Sequence, residues 1–321
     1  MAATARVVPT RLNLAIFGGL AAANLLMLAA TPLLLPRSAW WALLALPAVL
    51  LTPTLWATIH EAIHGVLHPS KAWNDRLGRV LGGLFGAPFQ LLRLGHLQHH
   101  RFNRSPLNRP EVVEPSPPGP AERVAYYFRL CCGLYLGELV AGLLAVLPDL
   151  FYRPIIKLAF GDEAPDGRSM WAAAKRQLLE EPGRSRMRLD GLLIGLGLIG
   201  AFWLYGPFWW VLALALAARA FLVSFHDNIY HYANPLEDPQ AGWDLSLPRW
   251  GRLWLLNFNH HATHHHRPTE PWTALPAAQA ALGRRYEARW LPAALRQLRG
   301  PIPEPALPKR ERRRPERAEA R

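Results

Sequence analysis

At 321 residues, 51% of them hydrophobic and 18% charged, the chain is more apolar than an ordinary soluble domain, and its apolar residues are gathered into long runs. A net charge of +13 suits anionic headgroups, an acidic protein partner or nucleic acid, and the long apolar runs argue against nucleic acid. The only two cysteines, Cys131 and Cys132, are adjacent, which excludes Cys-rich zinc or iron–sulfur sites and leaves them as small packing residues facing a reducing compartment.

Residues 1–11 are a short polar N-terminus carrying Arg6 and Arg11, expected on the cytoplasmic side. Residues 12–35 form an uncharged apolar run of 24, long enough to cross a hydrocarbon core and too long for a signal-peptide core. After the turn Pro36-Arg37-Ser38, a second run covers 39–59, so the two predict a transmembrane hairpin with Trp40, Trp41 and Trp56 near its interfaces. Residues 77–94 mix Arg79 and Arg93 with glycine and apolar residues, as an interfacial helix would. The stretch from 103 to 120 is loop-like, with six prolines. The run 124–147 carries Arg129 and Glu138, a charge burden that favours an interfacial or re-entrant helix over a span. Residues 150–188 are polar and basic. Residues 189–205 and 208–225, broken at Gly206-Pro207, predict a second hairpin, and 277–321 a basic, partly disordered tail. The expected fold is therefore an all-α integral membrane protein of two transmembrane hairpins, about four spans, with interfacial helices.

All thirteen histidines fall in four short clusters, and the 125 residues between His100 and His226 contain none. The first is His60, His64 and His68, which would share one face if the second span ran on as a helix past the bilayer. The second is His96, His99 and His100; the third is His226 and His231, with Asp227 four residues before His231 and Asn228 beside it. The fourth places five histidines in seven positions, His260, His261, His264, His265 and His266, before Pro268 and Pro271 stop the helix. Spacings of i, i+3, i+4 put the rings of His261, His264 and His265 on one helical face, and the second cluster repeats the pattern. Imidazoles gathered this way suit iron, copper, nickel or zinc. Four segments ending on one side of a membrane could assemble one polynuclear site, provided 124–147 does not cross. His68 and His266 read equally well as helix-surface histidines, and His226 and His260 as groups orienting the ligands beside them.

Two other classes share some of these signals. His60-Glu61-Ala62-Ile63-His64 matches the H-E-x-x-H of zinc proteases, and Leu189-Asp190-Gly191 could supply a third ligand, but a mononuclear zinc leaves two H-x-x-H-H clusters without a task. A histidine-rich transporter would hold its ligands within the spans, whereas these clusters follow them.

The motifs H-x-x-x-H at 60 and 64, H-x-x-H-H at 96, 99 and 100, and H-x-x-H-H-x-x-P-x-x-P at 261–271 resemble, in order and spacing, the membrane fatty acid desaturase superfamily over residues 12–276. The resemblance implies a membrane-embedded oxidoreductase with two non-haem iron ions on the cytoplasmic face, in a bacterium at the inner membrane. It implies dioxygen as co-substrate, a lipid or acyl substrate drawn from the bilayer, and electrons from a separate donor such as a ferredoxin and its reductase. The commonest chemistry of that superfamily is acyl desaturation; hydroxylation of fatty acids, lipids or carotenoids is the alternative. The ligands it implies are His60, His64, His96, His99, His100, His231, His261, His264 and His265. The third cluster departs from the pattern: where related chains show N-x-x-x-H, this one has Asp227 and His231.

Overall fold

The computed structural model describes residues 7–114, 117–164 and 166–310; of the expected N-terminal segment and basic tail, residues 1–6 and 311–321 lie outside the described residues. The architecture is helical, with only two-residue parallel strand pairs, Val112–Val113 with Ile302–Pro303 and Leu245–Ser246 with Ala288–Arg289. Among the described residues four helices are long and apolar enough to cross a membrane: α1 (Thr10–Leu34), α2 (Ala39–Ile63), a helix over Pro120–Val146, and Gly183–Ile229. The last is folded back at Gly206, whose φ of 48° and missing N–H partner at Pro207 break the ladder.

Between α2 and Pro120 run α3 (Lys71–Phe85) and α4 (Phe89–Phe102). They occupy the stretch expected as one interfacial helix. Gly86, at φ 106°, ends the first in the left-handed region, and Pro88 starts the second. Pro120–Val146 is α5, Asp149–Phe160 is α6, and the two arms of the hairpin are α7 (Gly183–Tyr205) and α8 (Trp209–Ile229). The C-terminal part adds α9 (Arg249–Trp254), α10 (His261–His266), α11 (Leu275–Ala281) and α12 (Trp290–Arg296).

Proline and threonine shape the first hairpin. Pro32 and Pro53 cannot donate to the helical ladder, and beside each a threonine hydroxyl donates to a backbone carbonyl instead, Thr31 to Leu26 at 2.8 Å and Thr52 to Ala48 at 2.9 Å. Buried Asn13 then ties the start of α1 to both ends of the site region. Its amide donates to the Leu67 carbonyl at 2.9 Å and its carbonyl accepts from the Trp272 indole at 3.0 Å. The outer surfaces of these helices are apolar, with Leu33, Ile199, Trp203 and Leu214 all exposed, as a lipid-facing shell requires.

Helix α5 has an orientation that matters later. Near its start Tyr126 accepts from Asn228 at 3.3 Å, and the Tyr135 amide donates to the Ser224 hydroxyl at 3.3 Å. Near its end Gly142 lies so close to Gly191 that a Cβ at 191 would stand 2.3 Å from the Gly142 carbonyl, and Arg184 donates to the Ala145 carbonyl at 2.6 Å. Both contact sets lie toward the open ends of α7 and α8, away from the turn at Gly206. Cys131 is exposed on α5 and Cys132 half-buried against the core, both as free thiols.

Three expectations differ from what is seen. Helix α2 ends at Ile63, and Gly65 at φ 75° turns the chain, so His68 does not stack below His64. Trp56 turns inward rather than outward to lipid headgroups; its ring lies 5.7 Å from Phe85 and 6.4 Å from His96. Residues 277–310 form no tail. Ala293 and Ala294 of α12 pack against Ile229 and Tyr230, Tyr126 donates to the Gln297 carbonyl at 2.6 Å, and Tyr232 donates to the Gly300 carbonyl at 2.8 Å. Arginines spaced among small apolar residues had masked that buried face.

Candidate metal centre

The helix ends deliver nine imidazoles into one space, and they sort into two sets. His60, His64, His96, His100 and His264 form the first, and His99, His231, His261 and His265 the second; within each, one ligand atom per residue lies within 4.8 Å of all the others. The sorting follows helical geometry. Residues four apart, His60 with His64, His96 with His100, and His261 with His265, join the same set. The intervening i+3 residues, His99 and His264, cross to the other, so α4 and α10 each contribute to both. The expectation that His261, His264 and His265 point together is corrected accordingly.

Within the first set the Nε2 atoms approach in a chain: His60 to His264 at 2.9 Å, His264 to His100 at 2.9 Å, His100 to His96 at 3.0 Å and His96 to His64 at 2.9 Å. The second set runs His99 to His265 at 3.2 Å, His265 to His261 at 3.2 Å and His261 to His231 at 2.7 Å. Hydrogen bonding cannot account for this. His99 donates its Nδ1–H to the Asn108 side-chain oxygen at 2.8 Å, and His265 donates its Nδ1–H to the Pro239 carbonyl at 3.0 Å. A neutral imidazole has one N–H, so the Nε2 atoms of both rings carry bare lone pairs turned toward each other. Lone pairs converging at such distances fit a cation between them, since two nitrogens held about 2.1 Å from one metal at a right angle lie about 3 Å apart. The donor set therefore fits two metal ions of the kind imidazole prefers.

Electrostatics keeps these rings neutral. Burial, with the neighbouring imidazoles adding repulsion, holds His96, His231, His261, His264 and His265 well below the ordinary imidazole range, and pushes His64 down to about 3. A neutral ring is what a metal ligand must be.

The other candidates stand around the sets. Asp227 belongs to neither; its carboxylate pairs with Arg129 at 3.1 Å. Asn228 donates to Tyr126, and its side-chain oxygen is buried without a partner. His226 lies between the rings of Trp254 and Trp290, with centroids 5.6 and 5.1 Å away. His260 caps α10 and meets the Tyr286 hydroxyl at 3.3 Å. His68 accepts the Ser70 amide at 3.0 Å, and His266 donates to the Ala262 carbonyl at 2.9 Å, each a local turn contact. The protease reading loses its parts: Glu61 accepts the Trp272 amide at 3.0 Å, and Asp190 is held by Arg79.

Sequence spacing did not reveal Asn108, the Pro239 carbonyl, or Asp244. Fully buried Asp244 accepts the Thr263 amide at 2.9 Å and hydroxyl at 2.5 Å, the Gln279 amide at 3.1 Å and Arg284 at 3.3 Å. It thereby fixes α10 at its N-terminal turn. A carboxylate in the connection between α8 and α9 carries no sequence signal of that task.

Beside the second set opens a cavity of about 600 Å³. His99, His231 and His261 line it, as does His96 from the first set, and its remaining wall is largely apolar, including Trp56, Leu91, Phe128, Leu222 and Phe258. Glu138, Asp227 and Asn228 add a polar strip. The sequence profile of the fatty acid desaturase family matches residues 38–295, a span that includes every one of these histidines. No curated protein matches the chain. The chain belongs to the fatty acid desaturase family.

Proposed function

From membership of that family, we propose that this chain is an oxygen-dependent lipid oxidoreductase whose two histidine sets hold two iron ions, and that it desaturates a fatty acyl chain. The observation carrying this reading is the two converging imidazole sets, the second of them at the wall of a largely apolar cavity. Iron bound there would supply the oxidising power that dioxygen needs to attack an unactivated C–H bond. The chain's own residues do the rest. Asn108 and the Pro239 carbonyl hold His99 and His265 in the Nδ1–H tautomer. Trp56, Phe128 and Phe258 seat a hydrocarbon and keep water away from it. Electrons would come from a separate donor such as a ferredoxin with its reductase. Hydroxylation of an acyl lipid or carotenoid is the second reading, favoured by Glu138 and Asn228, whose buried unpartnered oxygens would accept from a hydroxyl group.

We place the metal sets on the cytoplasmic side of a bacterial inner membrane. The α1–α2 and α7–α8 hairpins return to one side, and α5 touches both arms of the second hairpin near their open ends, which supports an α5 lying along the interface. With Cys131 and Cys132 replaced by serine, a cysteine at Ser169 should label from the cytoplasmic side; labelling only from the opposite side would mean that α5 crosses.

The activity test is to express the chain with a ferredoxin and its reductase, measure metal in the purified protein and profile the lipids by mass spectrometry. Two irons per chain and acyl chains lacking two hydrogens support desaturation, whereas gain of one oxygen supports hydroxylation. Lipids identical to those from a His99→Ala control, with expression and electron supply verified, would remove the acyl substrate from the reading.

A further inference from the structure

A second cavity, of about 290 Å³, lies on the opposite face of α5 from the first. Leu134, Gly137, Glu138 and Ala141 face the first cavity, whereas Tyr135 and Leu139 face the second. Its walls come from α1, α3, α5, α7 and α8, with six leucines, the Arg79–Asp190 pair at one side, and glycine at 83 and 197 where a Cβ would meet nothing within 4 Å.

Into this apolar space the chain places Arg219, 1% exposed. Its Nη1 donates to the Asn24 side-chain oxygen at 3.1 Å and its Nη2 to the Leu84 carbonyl at 2.9 Å. Asn24, itself 1% exposed, is held in that orientation by donating to the Leu20 carbonyl at 2.8 Å. The Arg219 Nε is buried with no partner. Among the described residues no carboxylate forms an ion pair with this guanidinium; the nearby Asp190 is already engaged by Arg79, at 3.1 and 3.3 Å from its Nε. A buried cation supplied only with neutral acceptors is an incomplete arrangement in a low-dielectric interior.

We propose that this cavity binds one fatty acid, its carboxylate received by the free edge of Arg219 and its chain lying against Leu28, Leu193 and Leu216. Two features select a carboxylate over a phospholipid phosphate. The cavity is small, at the lower end of ligand-pocket volumes, and suits one chain better than two. The planar carboxylate matches the side-on fork formed by Nε and the neighbouring amino group. The site stands apart from the metal sets and holds whichever oxidation the chain performs.

Native mass spectrometry of the full-length, delipidated protein titrated with oleate, methyl oleate and phosphatidylglycerol tests it. One oleate per chain should bind at least tenfold more tightly than methyl oleate. Arg219→Gln should remove that preference. Gly197→Leu, which fills the cavity without touching the charge and strengthens a helix, should weaken oleate at least tenfold while metal content stays unchanged. Equal binding of oleate and its ester, or oleate binding indifferent to Gly197→Leu, overturns the site. Phosphatidylglycerol binding more tightly than oleate, and sensitive to Arg219→Gln, replaces the fatty acid with a phosphate headgroup and overturns the assignment made here. If Arg219→Gln does not fold, the ester comparison and Gly197→Leu decide.

Discussion

The two histidine sets differ in number and in position. The first has five imidazoles, from α2, α4 and α10, and only His96 among them reaches the cavity wall. The second has four, and three of them, His99, His231 and His261, line the cavity. A five-imidazole set standing back from the cavity could hold a metal; a four-imidazole set at the cavity wall could hold one and leave room on it. The difference teaches that α4 and α10, each shared between sets, fix the spacing, while His231 comes from the segment after α8 and serves the second set alone.

The largest expected effect breaks that asymmetry directly. His231→Ala should weaken the second set, which keeps only three of its four imidazoles, so that metal falls from two ions per chain toward one and turnover is abolished. His264→Ala removes one of five, so metal retention should fall less while turnover is again lost. Metal analysis of both variants checks the ordering; greater loss in His264→Ala would reverse the roles of the sets.

A smaller effect is expected one bond further out. Asn108→Leu removes the acceptor of the His99 Nδ1–H and frees the ring to turn or change tautomer. The second set should lose metal affinity by roughly 10–100-fold, with the first unchanged. Isothermal titration of the metal-free protein would resolve two affinities, only one of them shifted.

Acidity probes both sets at once. In the metal-free protein the buried imidazoles hold pKa values below that of the unfolded chain, His64 at about 3. Between the ordinary imidazole value near 6.5 and that depressed value, the unfolded chain takes up protons that the folded chain refuses. Stability should therefore be undiminished above about 6.5 and fall as pH drops, by about 1.4 kcal/mol per pH unit for each such ring. Metal-loaded protein should resist to lower pH. Denaturant midpoints at pH 7 and pH 5, with and without chelator, measure it; a chelated protein equally stable at both would contradict the burial of neutral rings.

These effects also mark what was readable in the chain. Helical spacing made the ligand boxes legible, since residues four apart on a helix must point together whatever surrounds them. Which metal each ring serves was not legible, because it depends on how α4 and α10 face one another. Asn108, the Pro239 carbonyl and Asp244 act across loops, where no periodicity constrains position. The spans emerged from apolar length alone, yet the same composition rule overlooked α12, whose buried Ala293 and Ala294 sit among exposed leucines and arginines. Arg219 is a lone charge within the apolar run 208–225, and composition did not single it out; its unpartnered Nε gives it meaning.

The smallest expected effect concerns Asp227, which stands where the resemblance implied an asparagine four residues before His231. Its carboxylate faces Arg129 across 3.1 Å, with both side chains about a third exposed, and it belongs to neither histidine set. An ion pair of that exposure contributes up to about 1 kcal/mol, which corresponds to roughly fivefold in any equilibrium it biases. Asp227→Asn keeps the shape and a hydrogen-bond acceptor for Arg129, so metal content should remain at two ions and turnover should change by less than about fivefold. The comparison with His231→Ala is the informative one, since the two residues line the same cavity four positions apart. If Asp227→Asn also lowers metal to one ion, the carboxylate moves onto the second set when metal binds, and the four-ligand set is really a five-ligand one.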